Sequence, residues 1–144
     1  MADTDLIKLY SGRILELAAD IPHHGRLAAP QGSARKRSPL CGSTVTVDVV
    51  LADGRVVEFG QDVKACALGQ ASASVLGAAV LGRSLPELQA ARDSLAAMLR
   101  ESGPVPAAPF DGYQVLTPAR DYKNRHASIL LALEATCEAV AAAR

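Results

Sequence analysis

The chain has 144 residues, with 15 lysines and arginines balanced by 15 aspartates and glutamates. This length suits one domain with a real core, and 49% hydrophobic against 21% charged residues excludes wholesale disorder. A net charge of zero gives no general attraction to nucleic acid or to an anionic membrane. We therefore expect a single domain over residues 1–144 that binds neither.

The N-terminus lacks the basic region and apolar stretch of a secretory signal. Three cysteines, without the dense spacing of a secreted disulfide scaffold, indicate reduced thiols. The 18 uncharged residues between Lys64 and Arg83 could match a membrane span, but their small side chains and Gln70 favour a buried helix. The sequence predicts a cytoplasmic protein.

The first half predicts a helix, a loop and a hairpin. Apolar spacing predicts a helix over 5–19, which Pro22 ends. Three prolines, two glycines and the basic cluster 35–37 predict an ordered or partly mobile loop over 22–39. Strict alternation over 44–51, the turn Asp53-Gly54 and a returning strand to Phe59 predict a β-hairpin.

Three further helices are expected in the second half. One begins near Cys66 and runs to about Val80, and the next follows an N-cap at Ser84 and ends at Arg100. Four prolines predict an extended connector over 102–118, and a last helix begins near Lys123.

The side chains that could bind a soft metal are few, and their placement matters more than their spacing. Cys41 precedes the first strand of the hairpin, and His126 lies in the first turns of the last helix. Cys66 is expected at a helix N-terminus, where unpaired N–H groups favour a thiolate. By contrast, Cys137 is expected to be a buried hydrophobe, and His23 and His24 to be exposed.

Several segments, in this order, resemble the U-type iron–sulfur scaffolds, which include the N-terminal domain of NifU and the Isc- and Suf-type U proteins. The segments are Pro39-Leu40-Cys41-Gly42, Asp53-Gly54-Arg55, Cys66-Ala67-Leu68-Gly69-Gln70-Ala71-Ser72-Ala73-Ser74, Gly82-Arg83-Ser84-Leu85 and His126-Ala127-Ser128-Ile129-Leu130. The resemblance covers about residues 5–140. It implies an α+β fold, in which helices pack on one face of a small antiparallel sheet that contains the hairpin 44–59.

The resemblance also implies a non-enzymatic scaffold on which iron–sulfur clusters, of the 2Fe-2S type, are assembled. A cysteine desulfurase would supply sulfur, and recipient apoproteins would take the cluster. Carried over by position, Cys41 and Cys66 match the first two family cysteines, and His126 matches the histidine before the third.

Two departures from the family pattern bear on the site. Ala127 stands at the position of the third cysteine, and Ser43 at that of the aspartate after Cys-Gly. The remaining triad of Cys41, Cys66 and His126 leaves a fourth position open, as suits zinc or a cluster completed by an external ligand. We expect the three side chains to converge.

Three functions remain open from the sequence. The first is a scaffold that binds a labile cluster, or iron or zinc, through Cys41, Cys66 and His126. The second is a zinc-bound acceptor of sulfur from a cysteine desulfurase. The third is a paralogue that has lost its metal and binds other proteins.

Overall fold

The computed structural model describes residues 10–39 and 42–144. Helix α1 (Gly12–Ala19) leads into a sheet of β1 (Gly32–Arg37), β2 (Thr44–Ala52) and β3 (Arg55–Lys64). Helices α2 (Ala67–Ala79) and α3 (Leu85–Arg100), a 3₁₀ segment (Asp111–Asp121) and helix α4 (Lys123–Ala143) follow. This confirms the α+β architecture.

The sheet is antiparallel in the order β1-β2-β3, and its centre is the hairpin that the sequence predicts. Asp53 and Gly54 both have positive φ, 54° and 75°, as a tight hairpin turn between right-handed strands requires. The returning strand does not stop at Phe59 but continues to Lys64, which brings its end next to Cys66.

Strand β1 corrects the prediction of a loop over 22–39. Its residues are poor strand formers, but β1 pairs with β2 from Gly32↔Val49 to Arg37↔Thr44. Helix α4 packs against it so closely that a Cβ on Gly32 would collide with the Ala139 carbonyl oxygen. The strand therefore depends on pairing with β2 and on packing by α4, which comes much later in the sequence.

Helices α2 and α3 confirm their predictions to within a residue or two. Cys66 is the N-cap of α2, and Ser84 caps α3 in a reciprocal capping box with Glu87. In α1 the described helix begins after the N-cap Ser11, and residues 5–9 of the predicted helix lie outside the described residues.

The predicted extended connector is wrong in its second half, which forms the 3₁₀ segment. Tyr113, Leu116 and Ala119 are fully buried, and their spacing of three matches the three residues per turn of this helix. A search for the 3.6-residue period misses such a pattern.

Helix α4 is the centre of the domain. It packs on β1, β2, α2 and α3, and Ile129, Leu130, Leu133 and Cys137 are all buried, as predicted. By length and composition α4 could cross a membrane, but 67% of its apolar stretch is buried inside the protein. Its apolar character is thus explained by the core.

Candidate functional site

Three elements meet where β2, α2 and α4 begin, and they bring Cys66 beside two hydroxyl groups. The Ser128 Oγ lies 3.6 Å from the Cys66 Sγ and 3.0 Å from the Ser43 Oγ. Both serines are buried, and Cys66 is partly exposed. One sulfur that solvent can reach is therefore held against a small polar cluster.

Gly69 permits this close approach of α2 to α4. A Cβ at position 69 would lie 2.7 Å from the Ser128 Oγ and 2.8 Å from the Ala65 Cβ. Any larger residue must shift the Ser128 hydroxyl, Ala65 or one of the two helices, so Gly69 supports the close approach of Cys66 and Ser128.

The environment of Cys66 favours its thiolate. Partial burial raises the pKa of the thiol. The Gly69 N–H, the Ser128 hydroxyl, the Leu68 N–H and the Arg125 charge together lower this pKa by more than burial raises it. The net pKa lies below the ordinary thiol value. Neither N–H makes a well-aligned capping hydrogen bond to the sulfur. The helix N-terminus therefore stabilises the thiolate through its electrostatic field.

His126 is buried at the start of α4, and one nitrogen of its ring forms hydrogen bonds to the backbone. Its Nε2 lies 2.9 Å from the Ala119 oxygen and 3.1 Å from the Arg120 oxygen. Carbonyl oxygens only accept, so Nε2 carries the proton and donates, which leaves Nδ1 as the possible metal ligand. Metal-binding histidines are usually held in this way, with the other ring nitrogen donating to a carbonyl or carboxylate oxygen.

The described geometry does not establish the predicted ligand triad. Residues two apart on a helix point about 200° apart, so His126 and Ser128 leave α4 on different sides. Cys41, two residues before Ser43, lies outside the described residues. Over 10–39 and 42–144, no group of three His, Cys, Asp or Glu side chains could hold a metal ion. Convergence of Cys41, Cys66 and His126 stays a prediction.

Ala127, at the position of the missing cysteine, is half-buried. On α4 it points between the direction of His126 and that of Ser128. It lines an open pocket together with His126; the other lining residues are Leu99, Arg100, Arg120 and Lys123. A longer side chain at position 127 would therefore have space beside the imidazole.

The residues expected to lie outside the site do so. Cys137 is 4% exposed, and burial raises the pKa of its thiol to about 11. His23 and His24 are both exposed, and His23 packs edge-on against Phe59.

Ser128 is the site residue that sequence reasoning missed. It stands in the quoted segment His126-Ala127-Ser128-Ile129-Leu130, but nothing in a single sequence shows that this serine faces Cys66, 62 positions earlier. Arg125 was missed for the same reason.

These observations define a small α+β domain with an activated cysteine where its sheet and two helices meet. The sequence pattern of the NifU-like N terminal domain matches residues 9–128. Because this match spans most of the chain, the protein belongs to the NifU-like N-terminal domain family. No curated protein sequence matches it significantly.

Solved structures agree with this assignment. The chain is similar to a nitrogen-fixing NifU-like protein (N-terminal) from Brucella abortus, with 46% identity, 96% of each chain covered and a TM-score of 0.93. It shares its fold, at 18% identity and a TM-score of 0.81, with a candidate iron–sulfur cluster assembly scaffold for the SUF system from Fervidobacterium islandicum. That alignment covers 93% of this chain and 98% of the other.

Proposed function

We propose that this protein is a cytoplasmic scaffold that carries a labile iron–sulfur cluster as its cargo and passes it to recipient apoproteins. The observation that carries the proposal is Cys66, a half-buried thiol with a lowered pKa at a helix N-terminus, in a chain of the NifU-like family. A thiolate is the ligand that iron–sulfur clusters use, so its activation fits this role.

Cys41 and His126 complete the proposed ligand set. Cys41 precedes Ser43 by two positions in the sequence, and the Ser43 Oγ lies 3.0 Å from the same Ser128 Oγ that lies 3.6 Å from the Cys66 Sγ. His126 would offer Nδ1, since Nε2 donates to carbonyl oxygens. With Ala127 in the third cysteine's position, an external ligand would fill the fourth coordination position, and we expect a cluster that is easily released.

The lowered pKa of Cys66 also favours a second candidate, a zinc-bound sulfur acceptor. The Cys66 thiolate would attack the terminal sulfur of a persulfide on a cysteine desulfurase. The new S–S bond forms as the persulfide bond breaks, and the desulfurase cysteine leaves as a thiolate with no net oxidation. A metal-free binding module is the third candidate.

Anaerobic reconstitution tests the scaffold. The purified protein is incubated with ferrous iron and sulfide, and its visible absorption spectrum and metal content are measured. We expect a cluster spectrum that Cys66→Ser abolishes and that Cys137→Ser, the matched control in the core, leaves unchanged.

The outcomes separate the three candidates. Zinc without a cluster, together with persulfide on Cys66 after reaction with a cysteine desulfurase and cysteine, would support the sulfur acceptor. No metal, no cluster and no persulfide would leave the protein-binding module.

A further inference from the structure

An open cavity with three cations in its wall lies where α3 ends and α4 begins. Its volume is about 410 Å³, which is in the size range of small-molecule sites. The lining residues are Leu99, Arg100, Arg120, Lys123, His126 and Ala127. We call this cavity the cationic pocket.

The positive charge of the pocket is not balanced by any acid among the described residues. None of its three cations forms an ion pair with a described carboxylate. Other exposed cations of the chain also lack ion pairs, but these three line one shared cavity. Glu101 and Asp121, which follow Arg100 and Arg120 in the sequence, are exposed, and neither of them lines the pocket.

Two features of the fold maintain this positive charge. Arg120 is half-buried, and its Nε and Nη2 each donate a hydrogen bond of 2.8 Å, to the Met98 and Gly103 carbonyl oxygens. These oxygens orient the guanidinium group without neutralising its charge. Helix α4 also begins here with no side-chain cap and no acidic residue in its first turn, so its N-terminus adds partial positive charge. Both features would stabilise a bound anion.

His126 gives the pocket a buried side chain with one unused ring nitrogen. The residue is 4% exposed, and its Nε2 donates to the Ala119 and Arg120 carbonyl oxygens. Over the described residues, Nδ1 makes no hydrogen bond. Ala127 lies next to His126 and is too small to fill the cavity that both residues line. The pocket thus combines unpaired cations, a free imidazole nitrogen and the position of the family's third cysteine.

We propose that the cationic pocket binds a low-molecular-weight thiol that carries carboxylates, and that the sulfur of this thiol replaces the cysteine missing at position 127. The carboxylates bind the three cations, and the sulfur lies beside Ala127. When the sulfur binds a metal ion, the thiol releases its proton to solvent and becomes a thiolate ligand with no change of oxidation state. The role of the metal rests on the proposed function, whereas the binding of the anion does not.

A thiol accounts for more features of the pocket than a simple anion does. Phosphate would satisfy the cations, but it would bring a hard oxygen ligand to a place where the family pattern has a soft sulfur. A carboxylate-bearing thiol satisfies the cations and also fills the space that Ala127 leaves.

The first test measures binding of a thiol by the metal-free full chain. Glutathione, a tripeptide thiol with two carboxylates, is titrated and followed by amide NMR shifts and calorimetry. We expect shifts at residues 99–100, 120 and 123–127, with an affinity that weakens as salt increases. S-methylglutathione should bind equally well because it keeps both carboxylates, and 2-mercaptoethanol should not bind because it has none.

Matched variants locate the binding. R100Q/K123Q removes two cations of the pocket, and R35Q/R37Q is its control, because Arg35 and Arg37 are exposed on β1 and do not line the pocket. We expect R100Q/K123Q to weaken glutathione binding by at least about tenfold and the control to leave it unchanged. Ala127→Leu, which fills the pocket without a change of charge, should also weaken binding.

The second test asks whether the bound thiol reaches the metal. Cobalt(II) in place of zinc reports thiolate ligands through a charge-transfer absorption. Glutathione should increase this absorption in wild type, and S-methylglutathione should not. In Ala127→Cys the protein supplies the sulfur itself, so glutathione should add nothing. R100Q/K123Q corrects for cobalt that free glutathione binds.

Three results of the first test would overturn the proposal: no glutathione binding, equal binding by wild type and R100Q/K123Q, or inorganic phosphate that binds at least as tightly as glutathione. In the second test, a bound metal or cluster whose spectrum glutathione does not change would overturn it and leave the scaffold intact. Failure of the scaffold is a different result: neither metal nor cluster binds under any condition. That result refutes the thiol as a metal ligand but not an anion pocket that the glutathione titration supports.

Discussion

The fold gives two cysteines of this protein opposite environments, one that lowers and one that raises the pKa of the thiol. Cys66 stands at the N-terminus of α2, where burial raises the pKa of its thiol. The Gly69 N–H, the Ser128 hydroxyl, the Leu68 N–H and the Arg125 charge lower that pKa by more than burial raises it. Cys137 lies in the core, where burial raises the pKa to about 11. The thiolate is the reactive form of cysteine, so an alkylating reagent should modify the two cysteines at different rates.

We predict that iodoacetamide modifies Cys66 at least about tenfold faster than Cys137 at pH 7. The rate at Cys66 should reach half its maximum at a pH below that of a free thiol, because its folded pKa is lowered. Peptide mapping by mass spectrometry measures each site separately. Equal rates in the folded protein would contradict this assignment, and denaturation should remove the difference.

A second prediction for a single residue concerns Ala127, which stands at the position of the family's third cysteine. Ala127→Cys places a sulfur in the pocket beside His126, and we expect zinc affinity or cluster lifetime to rise at least tenfold, or about 1.4 kcal/mol. Competition with a chromophoric chelator measures the affinity. Cys66→Ser in the same background should cancel the gain if both sulfurs bind one ion.

At the scale of elements, the contact between α2 and α4 sets the site. Gly69 and Ser128 face each other across this contact, and α2 carries Cys66 at its first turn. A glycine in a helix interior costs about 1 kcal/mol relative to alanine, so its presence here indicates a packing requirement.

We predict that Gly69→Ala moves α2 away from α4 and lowers the free energy of unfolding by about 1–3 kcal/mol, despite the better helix propensity of alanine. The alkylation pH profile of Cys66 should also move towards that of a free thiol, since Ser128 is displaced. Gly12→Ala is the matched control: a Cβ there meets nothing within 4 Å, and stability should be unchanged or slightly higher. Denaturant titration of both variants and of wild type measures these free energies of unfolding.

At the scale of the whole molecule, Asp48 connects the sheet to the chain that precedes it. Its buried carboxylate accepts hydrogen bonds from the Arg26 side chain, the Leu27 N–H and the Ser33 hydroxyl. Burial alone raises the pKa of Asp48, but these bonds and the Arg26 charge lower it to a value below that of an ordinary carboxyl group. Three partner residues thus hold the ionised form.

A group whose pKa is lowered on folding stabilises the protein above its unfolded pKa, and this stabilisation is lost as the pH falls through the folded pKa. We predict that Asp48→Asn costs roughly 2–4 kcal/mol at pH 7, where a charge-assisted network is lost. The difference from wild type should shrink below about pH 4. Chemical denaturation at several pH values measures it, and a cost independent of pH would contradict the ionised network.

The elements that local patterns specify could be predicted from sequence. Alternating valines and an Asp-Gly turn determine the hairpin, and Ser84 with Glu87 determines the start of α3, because these signals act over a few neighbouring residues. Strand β1 and the 3₁₀ segment could not be predicted, because pairing with β2 and burial of Tyr113 stabilise them rather than propensity.

The amino-acid sequence by itself determined the family and the hairpin, and it predicts Cys41, Cys66 and His126 as the candidate ligands. Only the tertiary structure decided that Ser128 contacts both Ser43 and Cys66, and that Nε2 of His126 donates to backbone carbonyl oxygens. These contacts join residues up to 85 positions apart. Their geometry follows from the packing of whole elements, which no local pattern of residues encodes.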